Sequence, residues 1–157
     1  MKPKTTALVF LAAAIFAGSL PVRAADEATP RVIRIRAAIG NAVKFDVTSI
    51  AMAPGELVKV VLTNVGTLPK NVMGHDWVLL KAGSDAAAFA AAAAAEPGNG
   101  YLPARMKDQV VAFIPLLGPR ETGEVTFTAP GVPGQYPFLC TFPGHYIIGM
   151  KGVVVVK

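Results

Sequence analysis

The chain of 157 residues is poor in the side chains that do chemistry: it has one cysteine, two histidines and one tryptophan. A single cysteine excludes an internal disulfide. With only His75 and His145 present, a second histidine-built centre beside a first is excluded as well. Beyond the N-terminus no apolar run approaches the roughly 20 residues that a bilayer-spanning helix needs. Neither an internal repeat nor a linker suggests a second domain.

Residues 1–24 read as a secretory signal peptide. Lys2 and Lys4 give a positive start, Thr5 to Leu20 are apolar, and Val22-Arg23-Ala24 offers a small-residue cleavage site before Ala25. Pro21 and Arg23 interrupt the run as in a cleaved segment rather than an anchor. Cleavage removes three cations and no anion, so the formal charge falls from +5 to +2. The positive excess is thus largely a targeting feature and gives no reason to expect a nucleic-acid partner. Residues 25–157 suit one domain with a sizeable core. In an oxidising compartment a lone thiol must be buried and inert, paired with another molecule, or coordinated. Compartment and count together favour coordination, and the small exported product favours the periplasm.

Short alternating segments run through the rest of the chain. Residues 31–36 and 43–47 alternate apolar and polar side chains with period two, as half-buried strands do, and Gly40-Asn41 turns the chain between them. Residues 56–64 are the longest β-branched run of the front half, and 76–81 form a strand that begins just after His75. Residues 66–70 read as a loop. The alanine run 84–95 is the best helix former, with Ser84 or Asp85 as N-cap, Pro97-Gly98 as stop and only Phe89 to bury. Strands resume at 109–114, 121–128, 134–140 and 151–157, separated by an irregular 99–107 and a turn-rich 115–120. Many short strands punctuated by Gly and Pro, with one external helix, predict an all-β, two-sheet antiparallel sandwich.

Cys140, His145 and Met150 fall within eleven residues, each separated from the next by four. A thiolate, an imidazole and a thioether side by side suit a metal that prefers soft ligands, with copper first. Taken singly, each has a plain explanation. Cys140 could be a small buried hydrophobe, His145 a surface histidine, His75 a hydrogen-bonded strand-end residue, and Met150 core packing. Together they form a copper set if the fold brings His75 to the loop.

The segment Leu68-Pro-Lys-Asn-Val-Met73-Gly74-His75-Asp76-Trp-Val-Leu79 closely resembles the first-histidine region of azurins. Cys140-Thr-Phe-Pro-Gly-His145, followed by Met150-Lys-Gly152, resembles their copper loop, and the likeness extends loosely over 31–157. The resemblance implies a cupredoxin: an eight-stranded antiparallel Greek-key sandwich holding one type 1 copper. Carried over by position, His75, Cys140 and His145 are its strong ligands, Met150 the weak axial one, and the Gly74 carbonyl lies near the metal. Two imidazoles and a thiolate with a long axial thioether are the donors of blue-copper electron-transfer sites. Backbone N–H groups around Cys140 are expected to hydrogen-bond its sulfur. Asp76 and Phe142 stand behind the ligands. Met73, Phe142, Pro143, Tyr146 and Ile147 are expected to form an apolar docking collar around His145. Trp77 and Phe138 are read as core.

Three departures from azurins stand out. Four residues rather than three separate His145 from Met150, a count shared with plastocyanins and auracyanins. Asp76 replaces the usual Asn and is expected to lower the potential by its charge. The N-terminal disulfide is missing. The resemblance implies a monomeric, one-electron carrier between redox proteins, such as cytochromes or a terminal oxidoreductase, and no enzyme. A copper storage or delivery protein is the alternative from another class, and would need an exchangeable site. A copper oxidoreductase subunit would need further histidines.

Overall fold

The computed structural model describes residues 29–157; the 1–24 leader expected from the sequence lies outside them. Eight strands form two sheets. The smaller has the order β1 (Arg31–Ala37), β3 (Leu57–Asn64), β6 (Thr122–Thr128). The larger has the order β2 (Ser49–Met52), β8 (Lys151–Val156), β7 (Gly134–Leu139), β4 (His75–Leu80), β5 (Val110–Leu117). Among the described residues three short α-helices, α1 (Lys70–Met73), α2 (Ala86–Ala94) and α3 (His145–Ile148), and three 3-10 segments, Ile39–Asn41, Pro97–Asn99 and Ala104–Gln109, complete the fold. The sandwich has the two sheets and eight strands expected. The β1–β3 and β2–β8 pairings run parallel, while the other four are antiparallel.

Alternation decides which side chains enter the core. In β3 Val58, Val60 and Leu62 are fully buried, and Lys59 points outward to Glu124, 3.0 Å away. Trp77, Leu79 and Phe138 meet them from the larger sheet. Strand β4 does not alternate; every residue in it is buried. The reason is α2. Its Phe89 packs on Val78, Leu80 and Leu139, so β4 is covered on both faces, as in strands that read as continuous apolar runs. Asp85 caps this helix by accepting the N–H groups of Ala87 and Ala88, each at 3.0 Å.

Three expectations are corrected. Residues 43–47 form no strand. Phe45 makes a single bridge to Ala37 and is buried 5.7 Å from the Phe138 ring, while the Asp46 carboxylate accepts from the Arg36 N–H at 2.7 Å. The alternation there plugs the sandwich edge while the chain crosses to the other sheet, where the unforeseen β2 begins. Strand β5 continues through Pro115 to Leu117 instead of ending at 114. It lies at the sheet edge, where a missing N–H leaves no ladder bond unmade. The loop expected over 66–70 ends one residue early, at Pro69: Lys70 opens a helical turn that runs to Met73, with the N–H groups of Val72 and Met73 both bonded to the Pro69 carbonyl.

Candidate metal centre

His75 is the first residue of β4, set there by α1 and Gly74. A Cβ at Gly74 would lie 2.6 Å from the Lys70 carbonyl oxygen and 2.8 Å from the Leu116 side chain, so only glycine fits this approach. Cys140 follows β7 directly. The loop from Cys140 to Met150 is closed by its own backbone. Cys140 N–H donates to Met150 (3.0 Å), Met150 N–H to His145 (2.9 Å), and His145 N–H to Phe142 (3.1 Å). Gly144 (φ 84°) and Gly149 (φ 113°) supply the left-handed backbone at both ends of α3.

The fold brings the distant histidine to this loop. One donor atom from each of His75, Cys140 and His145 lies within 4.8 Å of the others, and all three residues are buried. The Cys140 Sγ is 3.3 Å from His145 Nδ1, and the two imidazole centroids are 4.9 Å apart. Met150 is fully buried in the core at the end of the same loop. His145 is only 4% exposed, so it reaches solvent at a rim rather than through an open face.

Both ring nitrogens of His75 are buried without a hydrogen-bond partner. An orphaned buried polar atom of this kind costs about 1–3 kcal/mol, and a metal would satisfy it. Burial pushes the His75 imidazole down to about 4, and burial plus the neighbouring His75 does the same to His145. At neutral pH both rings therefore keep free lone pairs. Burial raises the Cys140 thiol well above its ordinary value, and the Asp76 charge adds to this; backbone N–H groups of Asp76 and Phe142 pull the other way. A bound metal must displace that proton, and those two N–H groups then remain directed at the sulfur. Nitrogen, nitrogen and sulfur donors in a dry pocket fit copper.

Asp76 joins the two ligand-bearing regions. Its carboxylate accepts the Thr141 N–H at 2.6 Å and the Thr141 hydroxyl. Burial raises this carboxyl to about 6 against the opposing pull of those bonds. Phe142 stacks on His145 at 4.7 Å. Of the expected collar, Pro143 and Ile147 are exposed, whereas Met73, Phe142 and Tyr146 are half-buried. Trp77 and Phe138 lie in the core, 5.6 Å apart. Thr141, Tyr101 and the exposed apolar residues Val72 and Ile148 were not foreseen. Only the last two carried a signal, as apolar residues beside the ligand motifs.

The sandwich and its convergent Cys and His donors, with Met150 buried at the end of the same loop, define a blue copper protein, a cupredoxin. The family of copper binding proteins described as plastocyanin/azurin matches residues 33–157, and the chain belongs to it. It is 40% identical over 120 residues to auracyanin-A of Chloroflexus aurantiacus, covering 75% of this chain and 70% of that protein. With auracyanin-B of the same organism it shares 34% over 132 residues, 83% of this chain, but spans only 54% of that protein's length. Azurin of Pseudomonas chlororaphis is 41% identical over 98 residues, 61% of this chain and 75% of the azurin. The auracyanin A structure, titled a "blue" copper protein, superposes with a TM-score of 0.72 at 37% identity, covering 82% of this chain and all of that one. The chain is a blue copper electron carrier by family.

Proposed function

We propose that this protein is exported, loses residues 1–24, and shuttles single electrons between redox proteins in the periplasm as a monomer. His75, Cys140 and His145 would hold one copper ion, with the Met150 thioether and the Gly74 carbonyl as the further donors the resemblance assigns to it. The convergence of three buried donor atoms within 4.8 Å carries this reading. The bound copper supplies a one-electron Cu(I)/Cu(II) couple. The protein's own residues do the rest. The loop's hydrogen bonds hold Cys140, His145 and Met150 in place, Gly74 allows His75 its close approach, and Phe142 keeps water from His145. Electrons pass at the His145 rim, where a redox protein docks on Met73, Phe142, Pro143, Tyr146 and Ile147. Ile147 is 86% exposed, Ile148 68% and Val72 55%, so this end presents an apolar patch of the kind that marks an interaction site. Among the described residues no helix is long and apolar enough to cross a membrane.

Adding Cu(II) to the purified metal-free protein tests the site. An intense blue thiolate-to-copper band that bleaches with reductant and returns on oxidation is expected. A colourless product, or a Cys140 still open to thiol reagents after copper addition, overturns the assignment. Mass spectrometry of the exported chain checks the cleavage before Ala25.

A further inference from the structure

Four described non-glycine residues have positive φ: Ala38, Asn41, Tyr101 and Arg120. For a bulky aromatic this conformation is a true outlier, and such outliers persist where the surroundings over-determine them. Tyr101 (φ 61°) follows Gly100, which is also left-handed. One residue ties the turn on both sides. The Glu96 carbonyl accepts the N–H groups of Asn99 and Tyr101, each at 3.1 Å, and the Glu96 carboxylate accepts the Ala104 N–H at 3.0 Å. Leu102 and Met106 anchor the segment on the cluster that holds Phe89.

The Tyr101 ring lies edge-on to Phe142, with centroids 5.3 Å apart and planes at 65°. Phe142 in turn stacks on His145 at 4.7 Å, and His145 faces His75 at 4.9 Å. Both aromatic separations fall in the range of attractive ring pairs. The strained turn therefore delivers one ring to the outer side of the residue that covers the rim imidazole.

We propose that Tyr101 is a positioning residue for the metal centre: it clamps Phe142 onto His145 and keeps water from that imidazole. The proposal rests on the copper reading above but adds to it, since Tyr101 acts through Phe142. Apolar packing around a site sets its solvent access and hence its potential, and outer-shell changes commonly alter metal affinity 10–100-fold. Water admitted beside His145 favours the more highly charged oxidised centre, so loss of the ring lowers the potential.

Tyr101→Gly relieves the backbone strain while deleting the ring, and Tyr101→Phe keeps the ring. In the glycine variant, copper is expected to leave for a chelator on the order of tenfold faster, with the potential shifted downward. Tyr101→Phe should match wild type in both. In the metal-free protein, the His145 ring-proton signals should lose their Phe142 ring-current shift in Tyr101→Gly only, while the unfolding midpoint stays level or rises. A Tyr101→Gly protein with wild-type copper release, potential and His145 signals overturns the proposal. So does a Tyr101→Phe protein that behaves like the glycine variant. Failure of the wild type to turn blue would sink the copper reading alone, because the His145 signals still report the clamp.

Discussion

The two ligand-bearing regions are held by different means. The His75 segment is fixed from outside, by a glycine with no room for a methyl group and by a strand covered on both faces. The Cys140–Met150 loop is fixed from within, by its own backbone bonds and two left-handed glycines with open space around them. Packing resists displacement but tolerates no added atom; a hydrogen-bonded loop accepts added atoms but depends on backbone conformation. Asp76 and Thr141 are where the two schemes meet.

The sharpest way to break the contrast is Gly74→Ala. Its methyl group must displace the Lys70 carbonyl or Leu116, so a loss of about 3 kcal/mol by denaturant unfolding, with reduced copper uptake, is expected. An unchanged midpoint would show that the His75 segment is as yielding as the loop. Thr141→Val comes next. It removes a buried hydroxyl from the Asp76 carboxylate and should cost about 2 kcal/mol, read as a lowered unfolding free energy of the metal-free protein. Gly144→Ala meets no atom within 4 Å and pays only for its backbone, about 1 kcal/mol. A cost equal to that of Gly74→Ala would erase the distinction.

Acid should then act on both regions at once. In the metal-free protein His75 and His145 stay neutral down to about 4, whereas in the unfolded chain they take protons near 6.5. The unfolded state binds more protons between these limits, so stability falls as pH drops from about 6.5 to about 4. Asp76 opposes this, because burial holds its carboxyl at about 6 and the folded state takes up its proton first. Two imidazoles against one carboxyl leave a net loss toward acid; a midpoint that rises as pH falls from 6.5 to 4 would contradict it. The mildest change is Asp76→Asn. It should raise the reduction potential by removing a buried negative charge while leaving the fold intact, and voltammetry of the two proteins would read the offset.

The loop site was legible because its chemistry is local: Cys140, His145 and Met150 share one turn of chain, and rare residue types make their spacing conspicuous. His75 needed a family likeness, since nothing in its own neighbourhood says which loop it faces. Strand β3 was legible as a β-branched run, although Val61 is buried on the face it shares with half-buried Lys59 and Thr63. Segment 43–47 alternates, yet its neighbours offer it one bridge rather than a ladder, and alternation reports burial rather than pairing. Pro115 misled in the other direction. A proline stops a central strand but not an edge strand, and sheet position is a property of the whole fold. Tyr101 was invisible for the same reason: its contact with Phe142 spans forty-one residues and leaves no local pattern.

The coverage of β4 has a dynamic consequence. The strand lies between β5 and β7 with core on one face and α2 on the other. Its amide protons should therefore exchange only through global unfolding, at the slow end of the molecule's range. The loop bearing His145 is held by its own backbone bonds and carries Ile147 and Ile148 open to water, so its amides are expected to exchange by local opening at lower cost than those of β4. Slow amide exchange in β4 beside faster exchange in the 145–150 loop is the expected signature, and a copper ion held by both would be released from the loop side first.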